Sequence, residues 1–319
     1  MMAGLDIIIV NWNAGEQLRR CLESVAAAAR VGFELSRVVV VDNHSSDRSA
    51  EGLDDLALPL SVIRNARNRG FAAACNQGAA GSRADYLLFL NPDTALFVDS
   101  LSKPLAYMED REHHEVGIVG IQLVDERGAV SHSCARFPTA ARLLSKSLGV
   151  YRLSPRLFPS YQMTGWNHDQ SRDVDYVSGA FFMVRRSVFE AVGGFDERFF
   201  VYFEETDFSR RMRARGWTSR FLAEARAVHR GGGVSEQVPA QRLFYAAASR
   251  MLYARKHFPA IEALVVAFVT LTLEPVIRIA AAAFSGSFER ARENARGYCM
   301  LYRALPRIAR GMSVYDERA

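Results

Sequence analysis

The chain has 319 residues, of which 49% are apolar and 24% are charged, and its formal net charge is +5. This composition is typical of a globular protein with a sizeable core, and it excludes disorder as the main state. The charge is unevenly distributed along the chain. From Ala240 onward there are twelve Arg or Lys and six Asp or Glu, whereas the net charge of the earlier residues is about −1. The arginines of this last segment are mixed with long apolar runs, so we expect an anionic membrane surface rather than nucleic acid as its partner.

The cysteines and the N-terminus indicate the compartment. Four cysteines, at positions 21, 75, 134 and 299, are widely spaced and form no CxxC pair. This spacing predicts neither a zinc site nor a disulfide framework, and it favours a reducing cytoplasm. The first apolar run is preceded by no basic region and no small-residue cleavage site, so we expect no secretory signal.

The first hundred residues alternate predicted strands with predicted helices. Apolar, β-branched runs predict strands over residues 5–10, 38–41, 60–64 and 86–90, and helical patterns cover residues 16–30 and 70–81. Such a βαβ rhythm predicts a mainly parallel sheet with right-handed crossovers. Ligands of such sheets bind beyond the carboxyl ends of the strands.

The middle of the chain is less regular. Strands are predicted over residues 117–124 and 176–184, and helices over residues 187–192 and 206–215. Between the two strands, the polar stretch 131–175 has no clear periodicity, which is typical of a functional loop or lid.

The last eighty residues contain two apolar segments. Residues 260–273 carry Glu262 as their one charge, and a charged, Pro-containing stretch at 274–278 separates them from the apolar residues 279–284. Neither piece reaches the roughly twenty residues that span a bilayer. We therefore predict a helical hairpin lying in the membrane interface. The alternative is a helical subdomain packed on the core or on a second subunit.

Two runs that follow predicted strands carry the strongest motif signal: VVVVDNHSSD at 38–47 and LFLNPDT at 88–94. Further runs follow in order: RNRGF at 67–71 with Asn76, SGA at 178–180, GGFDE at 193–197, FEETD at 203–207, and His229. Together they resemble the family 2 glycosyltransferases of the GT-A fold over roughly residues 5–235. The resemblance implies a GT-A α/β domain, which we place at 1–239. The basic and apolar composition of residues 240–319 predicts a helical, membrane-associating region there.

A narrower resemblance is to the bacterial rhamnosyltransferases. It is carried by NWN at 11–13, NPD at 91–93 in place of Asp-x-Asp, RFP at 136–138 and FDERFF at 195–200. It implies transfer of L-rhamnose from dTDP-rhamnose to a lipid-linked or cell-surface glycan, such as an O-antigen, at the cytoplasmic face of the inner membrane. The alternatives are a donor such as UDP-galactofuranose or a UDP-hexose, and a non-catalytic scaffold that binds a sugar nucleotide.

The resemblance also implies a divalent metal, Mn²⁺ or Mg²⁺, that neutralises the leaving diphosphate. Asp93 is the expected ligand, and His229 matches the position of a late second ligand. Asn91 removes one carboxylate from the family's Asp-x-Asp pattern, which either weakens metal binding or leaves water and diphosphate to complete the coordination. The alternatives are a simple turn at Asp93 and a structural histidine at 229.

The expected nucleotide-binding residues are Asn11, Asp42, Asn68, Gly70 and Asn91. Asp42 would accept a hydrogen bond from N3–H of uracil or thymine, and its alternative is an Asx-turn. Asn68 precedes a predicted helix whose N-terminus favours phosphate, and its alternative is a helix cap.

The three carboxylates Glu204, Glu205 and Asp207 are the candidates for a general base that deprotonates the acceptor hydroxyl. The family pattern Glu-Asp-x-Asp uses its second residue, which selects Glu205. One base opposite the leaving group implies a single displacement with inversion. The alternative is that all three carboxylates only complement a helix dipole.

Small residues are expected where the acceptor sugar approaches. The segment Ser178, Gly179 and Ala180 matches this part of the family pattern. Its alternative is a bulge in a strand.

Overall fold

The computed structural model describes residues 2–154, 157–158, 160–231 and 237–314. The strands are β1 (Ala3–Asn11), β2 (Phe33–Asp42), β3 (Leu60–Arg64), β4 (Tyr86–Leu90), β5 (Thr94–Leu96), β6 (Val116–Val124), β7 (Cys134–Ala135), β8 (Arg172–Val174), β9 (Tyr176–Val177), β10 (Phe181–Arg185) and β11 (Thr218–His229). The helices are α1 (Glu16–Ala27), α2 (Phe71–Ala79), α3 (Ser102–Glu109), α4 (Ala140–Ser147), α5 (Arg186–Val192), α6 (Glu204–Arg213), α7 (Pro239–His257), α8 (Ala260–Leu271), α9 (Leu273–Phe284) and α10 (Phe288–Ala309). Single 3₁₀ turns lie at Arg111–His113 and Val150–Arg152.

The chain folds into two compact units. The first consists of Met1–Arg136, Met163–Asp196 and Glu205–Val234, and the second of Phe137–Gln162, Glu197–Glu204 and Ser235–Ala319. The second unit therefore includes two segments that precede the last eighty residues.

A mixed sheet forms the centre of the first unit. Its strand order is β3-β2-β1-β4-β10-β6-β11-β5, and β8 also pairs with β11. Strands β1 to β4 are parallel to one another, whereas β10 runs antiparallel to both β4 and β6. The parallel βαβ half predicted from the sequence is thus confirmed, and an antiparallel strand separates it from the second half. A separate two-stranded sheet pairs β7 with β9.

The core of this unit follows the two-residue period of its strands. Ile7, Ile9, Val38 and their equivalents pack on one face of the sheet, and their neighbours in sequence pack on the other. The central strands are buried on both faces, which explains their nearly continuous apolar sequences.

Helix α2 lies unusually close to the sheet. A Cβ added at Gly78 would lie 2.5 Å from Cγ2 of Ile8, a distance that real Cβ atoms do not adopt. Glycine at position 78 is therefore a packing requirement, because a larger residue there would push α2 away from β1.

Three regions differ from the sequence-based expectation. Residues 176–184 form two strands in different sheets, β9 and β10, because the turn at Ser178–Ala180 interrupts them. The polar stretch 131–175 contains β7, α4 and β8 rather than only a loop. Strand β11 was not predicted, because Arg and Glu among its apolar residues obscure the strand pattern.

The second unit is helical. Apolar residues of α7 and α10 form its main cluster, which includes Phe244, Leu252, Tyr253, Tyr298 and Leu301. Helices α8 and α9 are separated only by Thr272, so the stretch 274–278 does not interrupt the helix as expected but opens α9. Pro275 is tolerated there because the first turn of a helix needs no amide hydrogen from it.

Helices α8 and α9 expose much of their apolar surface. The exposed side chains recur at helical spacing and define two apolar stripes: Ile261, Leu264, Val265 and Phe268 on α8, and Leu273, Val276, Ile277 and Phe284 on α9. Together the two helices cover 25 residues, and an 18-residue segment within them has a mean hydropathy of 2.0, so in length and composition this stretch would be enough to cross a membrane. Only 28% of that 18-residue segment is buried within the protein.

Candidate active site

The topology of the sheet brings most of the expected site residues to one edge. Strands β1, β2 and β4 are parallel and end at Asn11, Asp42 and Leu90. Strand β10 runs the other way, so its start at Phe181 lies opposite Leu90 on this edge. Strand β11 is parallel to β6, which like β4 is antiparallel to β10, so β11 also ends on this edge.

Asp93 and His229 meet at this edge. The turn after β4 leads into β5, which pairs with β11 so that Thr94 lies opposite His229. The backbone N–H of Arg230 donates to the Asp93 carbonyl over 3.2 Å. As a result, His229 Nε2 lies 3.3 Å from Asp93 Oδ1, and both side chains keep partial access to solvent, at 19% and 10% exposure. Two residues that are far apart in sequence thus converge on one accessible point.

This pair fits a divalent cation that is shared with a ligand. It offers one carboxylate oxygen and one imidazole nitrogen, a donor set that suits Mn²⁺. Among the described residues, no cluster of three His, Cys, Asp or Glu could enclose a metal without help. Further oxygens would therefore come from a bound diphosphate or from water.

Asn11 and Asp42 form a buried pair at the ends of β1 and β2. The Asn11 side-chain amide donates to Asp42 Oδ1 over 2.9 Å, and it also contacts the hydroxyls of Ser45 and Ser49 at 3.0 and 2.8 Å. Within the described residues, the Asp42 carboxylate accepts no backbone N–H, so the Asx-turn alternative does not describe it. Asn11 instead fixes the orientation of this carboxylate.

Asn43 is a connecting residue that the sequence did not single out. It is buried, and its side-chain oxygen accepts hydrogen bonds from Arg69 N–H (2.9 Å) and from the Asn65 amide (3.1 Å). Its amide donates to Asn68 Oδ1 (2.8 Å) and to the Gly70 carbonyl (3.1 Å). Asn43 lies in the motif at 38–47. That motif contains several polar residues of similar size, so the sequence pattern alone could not distinguish Asn43 from its neighbours.

Asn68 and Gly70 form the entrance to α2. The Asn68 side-chain oxygen accepts the Gly70 N–H over 2.9 Å, the i to i+2 hydrogen bond that Asn makes in turns. Gly70 has φ of +86°, a conformation that glycine adopts without strain. Gly70 is the N-cap of α2 and no side chain among the described residues caps it, so the capping alternative does not describe Asn68. The loop from Asn65 to Gly70 is held against the end of β2, where the Asn65 N–H donates to the Asp42 carbonyl over 2.9 Å.

The segment Ser178–Ala180 is a turn that contacts the turn at Asn91. The Ala180 carbonyl accepts the Asn91 N–H at 3.1 Å and the Thr94 hydroxyl at 3.3 Å. A Cβ added at Gly179 would meet nothing within 4 Å, so open space lies beside this residue. The arrangement is a turn between sheets rather than the bulge considered as its alternative.

The carboxylates at the start of α6 occupy different environments. Asp207 is completely buried and accepts a hydrogen bond from Arg211 Nε at 2.7 Å. Arg211 also donates to the carbonyls of Val192 and Gly194, so this ion pair holds the Gly-Gly turn after α5. Glu204 is buried as well.

Glu205 is a carboxylate with a buried oxygen atom and a raised pKa. It is partly exposed, but its Oε2 atom is buried and accepts no hydrogen bond among the described residues. Burial raises the pKa of Glu205 to about 7, and the backbone N–H groups of Glu205 and Thr206 only partly offset this effect. A carboxylate that titrates near neutral pH can both take up and release a proton under working conditions.

We expect Asp207→Asn to destabilise the protein by about 3–5 kcal/mol, because it leaves a guanidinium in a buried site without its counter-charge. Urea unfolding would measure this loss. Glu190→Gln is the matched control, since Glu190 is largely exposed and pairs with Arg186 at the same i,i+4 spacing on α5. Equal losses in the two variants would contradict the structural role assigned to Asp207.

Comparison with known proteins identifies the family. The model of glycosyl transferase family 2 matches residues 6–193, which is more than half of the chain. The chain is a family 2 glycosyltransferase. The matched region contains the ends of β1, β2 and β4, Asp93 and the turn at Ser178–Ala180, whereas α6 and His229 lie beyond it.

Several relatives of this glycosyltransferase are named as rhamnosyltransferases. The N-acetylglucosaminyl-diphospho-decaprenol L-rhamnosyltransferase of Mycobacterium tuberculosis is 27% identical over 261 residues, covering 75% of this chain and 80% of the relative. The rhamnosyltransferase WbbL of Escherichia coli is 26% identical over 231 residues, covering 70% and 82%. The resemblance to bacterial rhamnosyltransferases is therefore confirmed at modest identity.

Solved structures confirm the fold of this glycosyltransferase. The mannosyltransferase of Pyrobaculum calidifontis, solved with GDP-Man and Mn²⁺, has a TM-score of 0.52 at 17% identity and covers 98% of this chain and 86% of its own. The fold is thus GT-A, a mainly parallel sheet flanked by helices, with further helices at the C-terminus.

Proposed function

We propose that this glycosyltransferase moves a sugar from a nucleoside diphosphate donor to a lipid-linked or cell-surface glycan, with inversion at the anomeric carbon. The observation that carries the proposal is the Asp93–His229 pair at the carboxyl edge of the sheet. L-Rhamnose from dTDP-rhamnose is the preferred donor, because two relatives that cover most of the chain are named for rhamnosyl transfer.

Asp93 and His229 would hold a divalent cation, Mn²⁺ or Mg²⁺, beside the donor. When bound, the cation would neutralise the charge that develops on the leaving diphosphate. The mannosyltransferase of Pyrobaculum calidifontis binds Mn²⁺ together with its sugar nucleotide, which supports this choice. His229 Nε2 and Asp93 Oδ1 lie 3.3 Å apart, which would allow one cation to contact both.

The nucleotide would bind along the ends of β1 and β2. Asn11 holds one oxygen of Asp42, so that the other can accept N3–H of uracil or thymine. Asn43 keeps the loop before α2 in position, which directs the N-terminal amides of that helix toward phosphate. In this arrangement, Asn68 and Gly70 shape the loop, and Asn91 shapes the turn that carries Asp93.

The acceptor would approach beside the turn at Ser178–Ala180, where Gly179 leaves open space. Glu205 would then take the proton of the attacking hydroxyl group. Asp207 is already paired with Arg211, and this pairing favours Glu205 over Asp207 as the base. Attack opposite the leaving group would proceed in one displacement.

The acceptor chemistry agrees with a peripheral position at the cytoplasmic face of the inner membrane. The apolar stripes of α8 and α9 expose large side chains, with Phe284 at 92% and Ile261 at 77% exposure. Glu274 lies near the middle of the apolar stretch, where an ionised group at the centre of a bilayer would be costly. We therefore favour helices that lie in the membrane interface over helices that cross it.

The first experiment measures release of nucleoside diphosphate from dTDP-rhamnose, UDP-galactofuranose and UDP-hexoses, with Mn²⁺ or with EDTA. We expect metal-dependent release from dTDP-rhamnose that increases when a lipid-linked glycan is added. Release from a UDP-sugar instead would still identify the protein as an active glycosyltransferase, but it would show that the donor is not dTDP-rhamnose. Tight binding of a donor without any turnover would support the non-catalytic scaffold and overturn the proposal.

A further inference from the structure

The second unit contains a cluster of cations that has one carboxylate among the residues that the structure describes. Lys146 lies near the end of α4, Arg250 on α7 and Arg278 on α9, and Glu274 is the acid among them. We call these four residues the cationic cluster. Its formal charge is +2 when all four groups are ionised.

Both oxygens of Glu274 are already used by the two arginines. Arg250 Nη2 donates to Glu274 Oε2, and Arg278 Nε donates to Glu274 Oε1 at 2.7 Å. Glu274 is 1% exposed, so no further cation from outside can reach it. Arg250 Nη1 also donates to Ser147 Oγ at 2.6 Å, which fixes the guanidinium beside α4.

Lys146 has no carboxylate partner in the part of the chain that the structure describes. Its ammonium donates to the Tyr161 hydroxyl at 2.8 Å. Burial lowers the pKa of Lys146 to about 8; Tyr151 opposes this shift, and the charges of Arg250 and Arg278 add to it. In addition, Arg250 Nε is buried without a hydrogen-bond acceptor among the described residues. The cluster thus carries a net positive charge, and among the described residues one of its hydrogen-bond donors has no acceptor.

An anion would balance this excess, and the surroundings indicate its kind. Arg278 lies on α9 immediately after Val276 and Ile277, which belong to the exposed apolar stripe of that helix. Phosphate oxygens are strong acceptors for Arg and Lys. A ligand that joins a phosphate to a long apolar chain therefore fits both the cationic cluster and the apolar stripe. A free phosphate or a nucleic acid fits only the cationic cluster.

We propose that Lys146, Arg250 and Arg278 bind the phosphate or diphosphate group of a membrane lipid whose chain lies along the apolar stripes of α8 and α9. The inference rests on the proposed function, since a lipid-linked acceptor would carry such a group. It adds the residues that would hold that group within the second unit.

The test is flotation of the full chain with phosphatidylcholine vesicles that contain a polyprenyl diphosphate. Parallel samples replace this lipid with phosphatidylglycerol at equal negative charge, or offer inorganic pyrophosphate in solution. We expect the wild type to prefer the polyprenyl diphosphate vesicles. Lys146→Gln should weaken this binding about tenfold, as expected for the loss of one charge-assisted hydrogen bond.

Arg303→Gln is the matched control, because Arg303 is an exposed cation on α10 outside the cluster. It should weaken binding to the same vesicles by less than about twofold, as for a single solvent-screened charge. Equal losses in Lys146→Gln and Arg303→Gln would overturn the inference and indicate unspecific attraction. Pyrophosphate binding as tight as vesicle binding would also overturn it, because the apolar chain would then contribute nothing.

Thermal unfolding of Lys146→Gln shows whether that variant is folded. A second variant, Arg278→Gln, removes a different cation of the cluster and should also weaken vesicle binding. A Lys146→Gln protein that unfolds at the wild-type temperature but loses vesicle binding supports the site. Donor hydrolysis by the wild type, measured without lipid, separates the two proposals. If no donor is hydrolysed while diphosphate lipid is still bound, the proposed function fails and the lipid site stands.

Discussion

Replacing Asp93 with asparagine is expected to lower metal-dependent sugar transfer by about 10²–10³-fold, the loss typical of removing a group that stabilises charge in the transition state. The substitution keeps the shape of the turn and the backbone contact with Arg230, but it removes the carboxylate that faces His229. Initial rates of nucleoside diphosphate release at saturating Mn²⁺ would measure the effect.

Asp99→Asn provides the control for this variant. Asp99 follows β5 and is partly exposed, and it forms an ion pair with Lys103 on the surface. We expect its rate to stay within about twofold of wild type, because exposed ion pairs contribute little. A second measurement, the affinity for Mn²⁺ in the presence of nucleoside diphosphate, should fall only in Asp93→Asn. Full activity of that variant would remove Asp93 from the metal site.

Replacing Glu205 with glutamine is expected to lower kcat by about 10²–10⁴-fold, the usual contribution of a general base. The amide is nearly isosteric but cannot accept the proton of the acceptor hydroxyl. Glu190→Gln, an exposed change on α5, is the matched control. A larger loss in Glu204→Gln than in Glu205→Gln would assign the base to Glu204 instead.

The pH dependence gives a second, independent measure of Glu205. A base must be deprotonated, so transfer should decline as the pH falls below about 7, the raised pKa of Glu205. The same raised pKa makes the folded protein bind more protons than the unfolded chain between its ordinary value near 4.5 and about 7. This group therefore lowers stability as the pH rises through that interval, and Glu205→Gln should remove this contribution.

Most of the sheet and one edge of the site could be predicted from the sequence. The strands at β1, β2 and β4 are long apolar runs, and the polar residues that follow them must meet at one edge because the strands are parallel. The antiparallel strand β10 and the late strand β11 could not be predicted in this way. Their places depend on pairing between distant segments, for which a local pattern carries no signal.

The same limit explains what was missed at individual residues. Asp42 and Asn43 are neighbours with similar turn propensities. Only the folded structure shows that Asn43 is the residue whose side chain holds the loop before α2 in place. Likewise, three carboxylates at the start of α6 look equivalent in sequence. Their environments differ because Arg211 lies one turn after Asp207, whereas the buried Oε2 atom of Glu205 has no such partner among the described residues.

The pairing of β5 with β11 has a consequence for the time at which activity first appears. Most of the first unit lies between Asp93 and His229 in the sequence or precedes them, so a growing chain contains β1, β2 and β4 long before it contains the His229 imidazole. Contacts between residues so far apart in sequence form late in folding. A partly synthesised chain on the ribosome would therefore have no transferase activity. A chain that ends before Thr218 should accordingly have no metal-dependent turnover, even if its parallel strands have already formed.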